Sequence, residues 1–497
     1  MKARHALAGF AVLTVFALAL GDMSAQRPDP WLTLAAMGRG ILSPDFGDLA
    51  GLAQATGLTL AFAFCGVGLG AAAGLALAPI YARVRILCVS VRAVHELFWA
   101  LLLLNITGIS PLTGVLAIAL PYAGIFAKVF AEYLEEADPA AEAALPPGLP
   151  AAIRLIWVRI PQCLPQMRTY TLYRLECGLR SSAVLGFVGL PTLGFELEST
   201  FRQGLYGEAA AVLLIFLALI LPMRRWVIWR LVPLYLIASI VALVLVDTPP
   251  MGSGALMRFL NDIVPAPVRT GADWSGWLHK VFVEQAWPGA VNTLVLSQIA
   301  LAGAALLAAV AFPAIVPRVA GRFGALIGHG VLVVLRSIPE YMLAFVFVQI
   351  FGASMLPAVL ALALHNGAII AHLMGRQAGG VTLRPDAPAG LTLWAWELFP
   401  RLNGTFWALC LYRWEIILRE SAIMGLLGIA TLGFYIQTGV QELRLDRVIA
   451  LLLVSILLTF AIDQVSRILR RRMHLGGDLR VEATRGRGKG DVTPREA

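Results

Sequence analysis

Charge is scarce in this chain. Only 14% of its 497 residues are Asp, Glu, Lys or Arg, while 59% are hydrophobic. A soluble domain carries about 25% charged and 45–50% apolar residues. No soluble core could hide this much apolar surface, so the composition excludes an ordinary soluble enzyme or binding module. Short segments of alternating hydrophobicity are missing too, which argues against a membrane β-barrel. The five cysteines (Cys65, Cys88, Cys163, Cys177 and Cys410) form no CxxC pair, so neither a zinc site nor a disulfide frame is indicated. No GxxxxGK[ST] phosphate loop occurs, and Gly486-Arg487-Gly488-Lys489-Gly490 is too short to be one. No nucleophile–base constellation is visible.

What remains is a string of apolar runs near the roughly 20 residues that span a bilayer. The mean hydropathy is +0.78. The pattern predicts an all-α polytopic membrane protein of about twelve transmembrane helices. Six spans fall near 1–20, 51–80, 93–109, 112–132, 167–190 and 207–223, and six more near 231–247, 289–316, 327–351, 354–374, 404–429 and 446–466. The first run reads as an uncleaved span rather than a signal peptide, because the chain soon returns to the membrane. The net charge of +9 belongs to topology, not to nucleic acid. Arg83, Arg85, Arg92, Arg154, Arg159, Arg224, Arg225, Arg230, Arg318, Arg322, Arg376 and Arg384 fall in alternate loops. The positive-inside rule then puts both termini in the cytoplasm.

The chain repeats itself. Val115–Leu120 matches Val359–Leu364 at an offset of 244 residues (359 − 115). Arg92, Glu96 and Ala100 match Arg336, Glu340 and Ala344 at the same offset. A Tyr-Arg-x-Glu box at Tyr173 recurs at Tyr412, an offset of 239 (412 − 173). Five residues are therefore lost from one loop of the second copy. Both copies keep one direction, which makes the repeat parallel. The expected halves are 1–230 (core about 51–223) and 231–475 (core about 289–468), followed by a disordered basic cytoplasmic tail, 476–497.

Two patterns stand out, the first in one copy and the second in both. In the first, Glu142-Ala143-Ala144 is followed by Gly148 and, nine residues on, by Val158-Arg159-Ile160-Pro161. Behind it, Arg174, Glu176 and Arg180 interrupt an apolar run, as Arg413, Glu415 and Arg419 do in the second copy. Ionisable residues within a span usually face the protein interior or a water-filled cavity. Glu176–Arg180 and Glu415–Arg419 are four residues apart and share a helix face. Each pair reads as internally neutralised, or as placing Arg180 and Arg419 on a pathway for anions. His95 and His365 read as packed polar residues, and no spacing suggests a metal site. Gly66-Val67-Gly68-Leu69-Gly70 reads as close helix packing.

The first pattern resembles the EAA loop of ABC importer permeases. The boxes, with Arg336-Ser337-Ile338-Pro339-Glu340, resemble the phosphonate-type (PhnE-like) branch. The resemblance implies a type I ABC importer permease fold with two permease halves fused in one chain. It implies a bacterial inner-membrane location and a small anion as cargo, phosphonate or a related phosphorus oxyanion. Two cytoplasmic ATPase subunits would dock on the loops through Glu142, Ala143, Ala144, Gly148, Ile160, Pro161 and, in the second half, Pro400. ATP would be bound there, with no cofactor on this chain. A periplasmic substrate-binding protein would deliver cargo to the outer face. The second loop has lost the EAA signature, so an asymmetric pair of docking loops is expected. The family's A-G-G-I-G segment is replaced by Leu190-Pro191-Thr192-Leu193-Gly194 and Ile429-Ala430-Thr431-Leu432-Gly433. The rival readings are a secondary transporter with two six-helix halves, an ABC permease for another small solute, and a membrane-embedded enzyme.

Overall fold

A computed structural model describes residues 3–146, 148–247 and 252–472. Among them there are helices and turns but no strand. The expected tail, 476–497, lies outside the described residues.

The first half contains α1 (Ala3–Leu20), α2 (Pro30–Leu42), α3 (Leu49–Leu77), α4 (Tyr81–Ala93), α5 (Glu96–Thr107) and α6 (Pro111–Glu135). It continues with the short α7 (Pro139–Ala143) and α8 (Ala151–Arg154), then α9 (Ile160–Val184), α10 (Leu193–Gln203) and α11 (Tyr206–Ile220). A connecting turn, α12 (Met223–Trp226), leads into the second half. There α13 (Val232–Val244), α14 (Ala255–Asp262), α15 (Ala266–Thr270) and α16 (Trp274–Leu278) precede α17 (Trp287–Ala311). Then come α18 (Pro317–Ser337), α19 (Glu340–Phe351), α20 (Met355–Gly379), α21 (Gly390–Leu393), α22 (Phe399–Ile423), α23 (Leu432–Gln441) and α24 (Leu445–Arg472). From α17 onward the order repeats that from α3 onward, with only α7 lacking a counterpart.

Among the described residues six helices are long and apolar enough to cross a membrane, and a bent unit, Gly390–Leu427 with Leu432–Gln441, raises that to seven. Shorter apolar helices occupy the expected spans near 1–20, 93–109, 207–223 and 231–247. The expected span at 327–351 is two helices, because α18 ends at Ser337 and α19 starts at Glu340. Ile338 between them is extended (φ −72°, ψ 125°), as the residue before a proline tends to be.

The halves exchange arms. α1 packs against α17 of the second half, and α13 packs against α3 of the first. Gln298 on α17 donates from Nε2 to Thr14 Oγ1 on α1 at 3.0 Å. The outer helices follow the same exchange: α2 rests on α11 and α19, and α14 rests on α24 and α5. Asp446, at the start of α24, holds the second set in place. It accepts from the Ala266 amide at 3.1 Å and from Trp277 Nε1 at 2.7 Å.

Small residues set the inner spacing. Gly66, Gly70 and Gly74 on α3 lie one turn apart and face Ile118, Tyr122 and Phe126 on α6, also one turn apart. A Cβ on these glycines would stand 2.7, 2.8 and 2.3 Å from the opposing Cβ atoms. The predicted close packing therefore holds for Gly66 and Gly70, while Gly68 faces Leu236 of the exchanged arm α13.

Candidate functional site

Each loop carries a short helix that runs into a long one through a π-helical turn. In the first half α8 leads through Leu155–Arg159 into α9, and in the second α21 leads through Trp394–Leu398 into α22. The recurring prolines explain the turns. Pro161 lacks an N–H, and its ring crowds the carbonyl four residues back, at Trp157; Pro400 does the same at Trp396. A widened turn absorbs the ring. The turn also swings the indole outward. Trp157 is 76% exposed and Trp396 78%, and the two are equivalent in the repeat (396 − 157 = 239). Ile153 and Ile156 add exposed apolar surface to one loop, and Leu391 to the other.

Glu142 braces the first loop from within. It pairs with Arg159 at 2.6 Å and with Arg154 at 3.2 Å. Ala143, Ala144, Gly148 and Pro161 are exposed, and Ile160 is half-buried. Gly148 has φ +90°, a conformation only glycine adopts without strain. The second loop has rebuilt the brace from other residues. Glu397, buried, pairs with Arg384 at 2.5 Å and with Arg401 at 3.5 Å. In both loops one carboxylate thus ties two arginines together. The two loops differ in α7, which only the first carries, and in where the acidic residue sits.

Behind the loops, one face of α9 and one face of α22 line a single cavity of about 1860 Å³. From α9 come Tyr173, Arg174, Cys177, Arg180, Ser181 and Val184, a stripe with helical periodicity. From α22 come Tyr412, Arg413, Glu415, Ile416, Arg419 and Glu420. The structure thus brings together five of the six box residues singled out in the sequence. Glu176 is the exception and does not line the cavity. Among the described residues no ion pair joins Glu176 to Arg180 or Glu415 to Arg419, so the internally neutralised pairs are not formed. The arginines have other partners. Arg174 donates from Nε to Tyr170 Oη at 2.9 Å and lies over the Tyr122, Tyr170 and Tyr173 rings. Arg413 Nη1 reaches Asn366 Oδ1 at 3.4 Å. Arg180 and Arg419 cross to the opposite half, where Arg180 meets the Arg336 carbonyl and Arg419 the Arg92 carbonyl.

Glu96 and Glu340 each open a helix, α5 and α19, at the cavity wall. Their surroundings differ. Glu96 accepts from the Ser181 hydroxyl, which in turn lies 3.3 Å from Tyr122 Oη. At the equivalent of Ser181 the second half has Glu420, held by Asn366 Nδ2 at 2.8 Å. Glu340, His365 and Glu420 consequently converge, with one ligand atom of each within 4.8 Å of the others. No local spacing could have revealed this trio, since the three residues come from three helices. His365 donates from Nδ1 to the Ile338 carbonyl at 2.9 Å, and its Nε2 lies 3.4 Å from Arg180 Nη1 and 3.6 Å from the Glu340 carboxylate. The trio thus forms one polar cluster with Arg180.

The two helices bend back at matching places. Beyond α9 and α22 come short turns, and the Leu193 and Leu432 amides then donate to the Thr59 and Thr293 hydroxyls at 2.9 and 3.0 Å. These are the segments that replace A-G-G-I-G, and they still close in the same way on both sides.

No family model matches the chain, and no solved structure matches it. Known proteins do. Over 421 residues the chain is 26% identical to the phosphate-import permease protein PhnE of Mycolicibacterium smegmatis, covering 77% of this chain and 76% of that protein. It is 32% identical over 200 residues to the phosphite transport system permease protein PtxC of Stutzerimonas stutzeri, covering 38% of this chain and 73% of that protein. A third match, 28% identical over 240 residues, is the putative phosphite transport system permease protein HtxC of the same species, covering 44% of this chain and 83% of that protein.

Proposed function

Because the chain belongs to the phosphonate- and phosphite-type permeases of ABC importers, we propose that its two fused halves, 1–230 and 231–475, enclose one pathway for a phosphorus oxyanion. The observation that carries this reading is the convergence of both arginine boxes on one cavity. Arginine suits such cargo because its planar fork matches the oxygens of a tetrahedral anion. The carboxylates Glu96, Glu340, Glu415 and Glu420 on the same wall keep the site from holding an anion too tightly. A permease must release what it admits.

The two loops dock the ATPase subunits, one each. Trp157 and Trp396 are the anchors, since both stand out from helices whose bases are braced by Glu142 and Glu397. The exposed apolar side chains around them are a surface that water would not select. In this reading the loops face the cytoplasm, the protein sits in the inner membrane with both termini inside, and a binding protein delivers cargo on the far side. ATP is bound and hydrolysed on the partner subunits, and this chain supplies the passage.

Trp157→Ala and Trp396→Ala test the docking. An interface anchor of this kind contributes about 2 kcal/mol or more, so each variant should weaken ATPase capture roughly 30-fold. The double variant should lose ATP-driven uptake while remaining folded in the membrane. A double variant that still co-purifies with its ATPase at normal yield would overturn the docking assignment.

A further inference from the structure

Two contacts across the seam mirror each other. Arg180, from the first half, donates from Nη1 to the carbonyl of Arg336 in the second at 3.4 Å. Arg419, from the second half, donates from Nη1 to the carbonyl of Arg92 in the first at 3.0 Å. The repeat relates Arg180 to Arg419 and Arg92 to Arg336, so one interaction is made twice, once in each direction. Both acceptors lie in the last turn of a helix, α4 or α18. Carbonyls there lack helical N–H partners and carry partial negative charge. A guanidinium caps them well. Just beyond each acceptor the chain turns a corner, through Val94 (ψ 130°) and Ile338 (ψ 125°). Each corner leads to the carboxylate that opens the next helix.

We propose that Arg180 and Arg419 form a split anion clamp, one jaw from each half, with each jaw parked on the other half's helix end until a tetrahedral oxyanion takes its place. The proposal rests on the reading of the cavity as an anion pathway, and it adds how occupancy is sensed. A backbone carbonyl offers a guanidinium one neutral acceptor. A phosphorus oxyanion offers a full charge and paired oxygens, and such charge-assisted bonds are shorter and about twice as strong. Cargo within reach therefore wins the jaws. The same exchange uncaps α4 and α18 and frees both corners, so occupancy and loosening of the seam are a single event. Arg419 is prepared for this, because its Nε is buried without a partner while the side chain lines the cavity.

The seam can be watched directly. Leu87 and Val331 are exposed, equivalent positions on α4 and α18. Spin labels at Leu87→Cys and Val331→Cys, in a chain whose five native cysteines are replaced, give the α4–α18 distance by pulsed electron resonance. Millimolar inorganic phosphite should shift the distance distribution, and sodium chloride at equal ionic strength should not. With Arg180→Gln and Arg419→Gln added, the shifted distribution should be present without anion. A second readout keeps the native cysteines. In proteoliposomes holding the whole complex, the same two glutamine variants should raise cargo-independent ATP hydrolysis, because losing a hydrogen bond to a charged group moves such an equilibrium by roughly tenfold. If the glutamine variants lower uptake but leave both the distance and basal hydrolysis at wild-type values, the parked clamp is wrong and the pathway stands. If uptake itself is unchanged, the pathway reading falls with it.

Discussion

Gly194→Ala puts the close crossing behind the arginine boxes to a quantitative test. A Cβ at Gly194 would stand 1.8 Å from the Ala183 carbonyl oxygen and 2.7 Å from its carbon. At Gly433 the distances are 1.7 and 2.7 Å, to Ala422. Both obstacles are backbone, so no side chain can swing aside. The strand of chain must retreat by about 1.5 Å or more to reach ordinary contact. That movement takes the Leu193 amide away from Thr59 Oγ1, where it now bonds at 2.9 Å. Overpacking of this kind costs about 1–3 kcal/mol, and a buried amide left without a partner costs about 1–3 kcal/mol more. An expected loss of about 2–6 kcal/mol follows for Gly194→Ala, and likewise for Gly433→Ala. The control is Gly57→Ala on α3, where a Cβ meets nothing within 4 Å. It should be neutral, or stabilising by up to about 1 kcal/mol. Unfolding of the purified protein in mixed micelles, titrated with a denaturing detergent, measures all three. If Gly194→Ala and Gly433→Ala unfold together with Gly57→Ala, the crossing is not as tight as described and the reasoning fails.

Other perturbations bear on separate parts of the molecule. Thr59→Val and Thr293→Val keep side-chain shape but remove the hydroxyls that accept from Leu193 and Leu432, so each should cost about 1–3 kcal/mol in the same titration. The doubly substituted chain should show a near-additive loss, because the two sites belong to different halves. Asp446→Ala should release the segment that holds Ala266 and Trp277. It should raise amide exchange across α15 and α16 and leave exchange in α3 and α6 as it was.

The repeat offsets led to a parallel duplication, and the helix order from α3 and from α17 matches it. Helical spacing placed Glu176 beside Arg180 and Glu415 beside Arg419; Arg180, Glu415 and Arg419 do line the cavity, and Glu176 does not. Pro161 and Pro400 were visible as a recurring pair, but their π-turns and the outward tryptophans follow from a ring clash that only three-dimensional geometry displays. The corner at Ile338 falls inside the expected span 327–351, although Pro339 marks it and Glu340 reads from the sequence as a helix start, which it is. The exchange of α1 and α13 between halves left no trace, since an apolar arm reads the same whichever half it packs against. The partners of Arg180 and Arg419 were misjudged for a related reason. A carboxylate four residues away is the obvious partner on an isolated helix, yet the backbone carbonyls that win are 156 and 327 residues distant. Glu420 stood next to Arg419 in plain view. Its significance came only from Glu340 and His365, which two other helices bring to it.

The central claim is that the two boxes line one passage for a phosphorus oxyanion. Uptake of inorganic phosphite and of methylphosphonate by the complete complex in vesicles, with Arg180→Ala and Arg419→Ala combined, tests it most directly. ATP-driven uptake of the transported anion should fall at least about tenfold, the effect of losing a single hydrogen bond to a charged group, with normal assembly with the ATPase. Uptake of every anion at the wild-type rate, in a properly assembled complex, would contradict it.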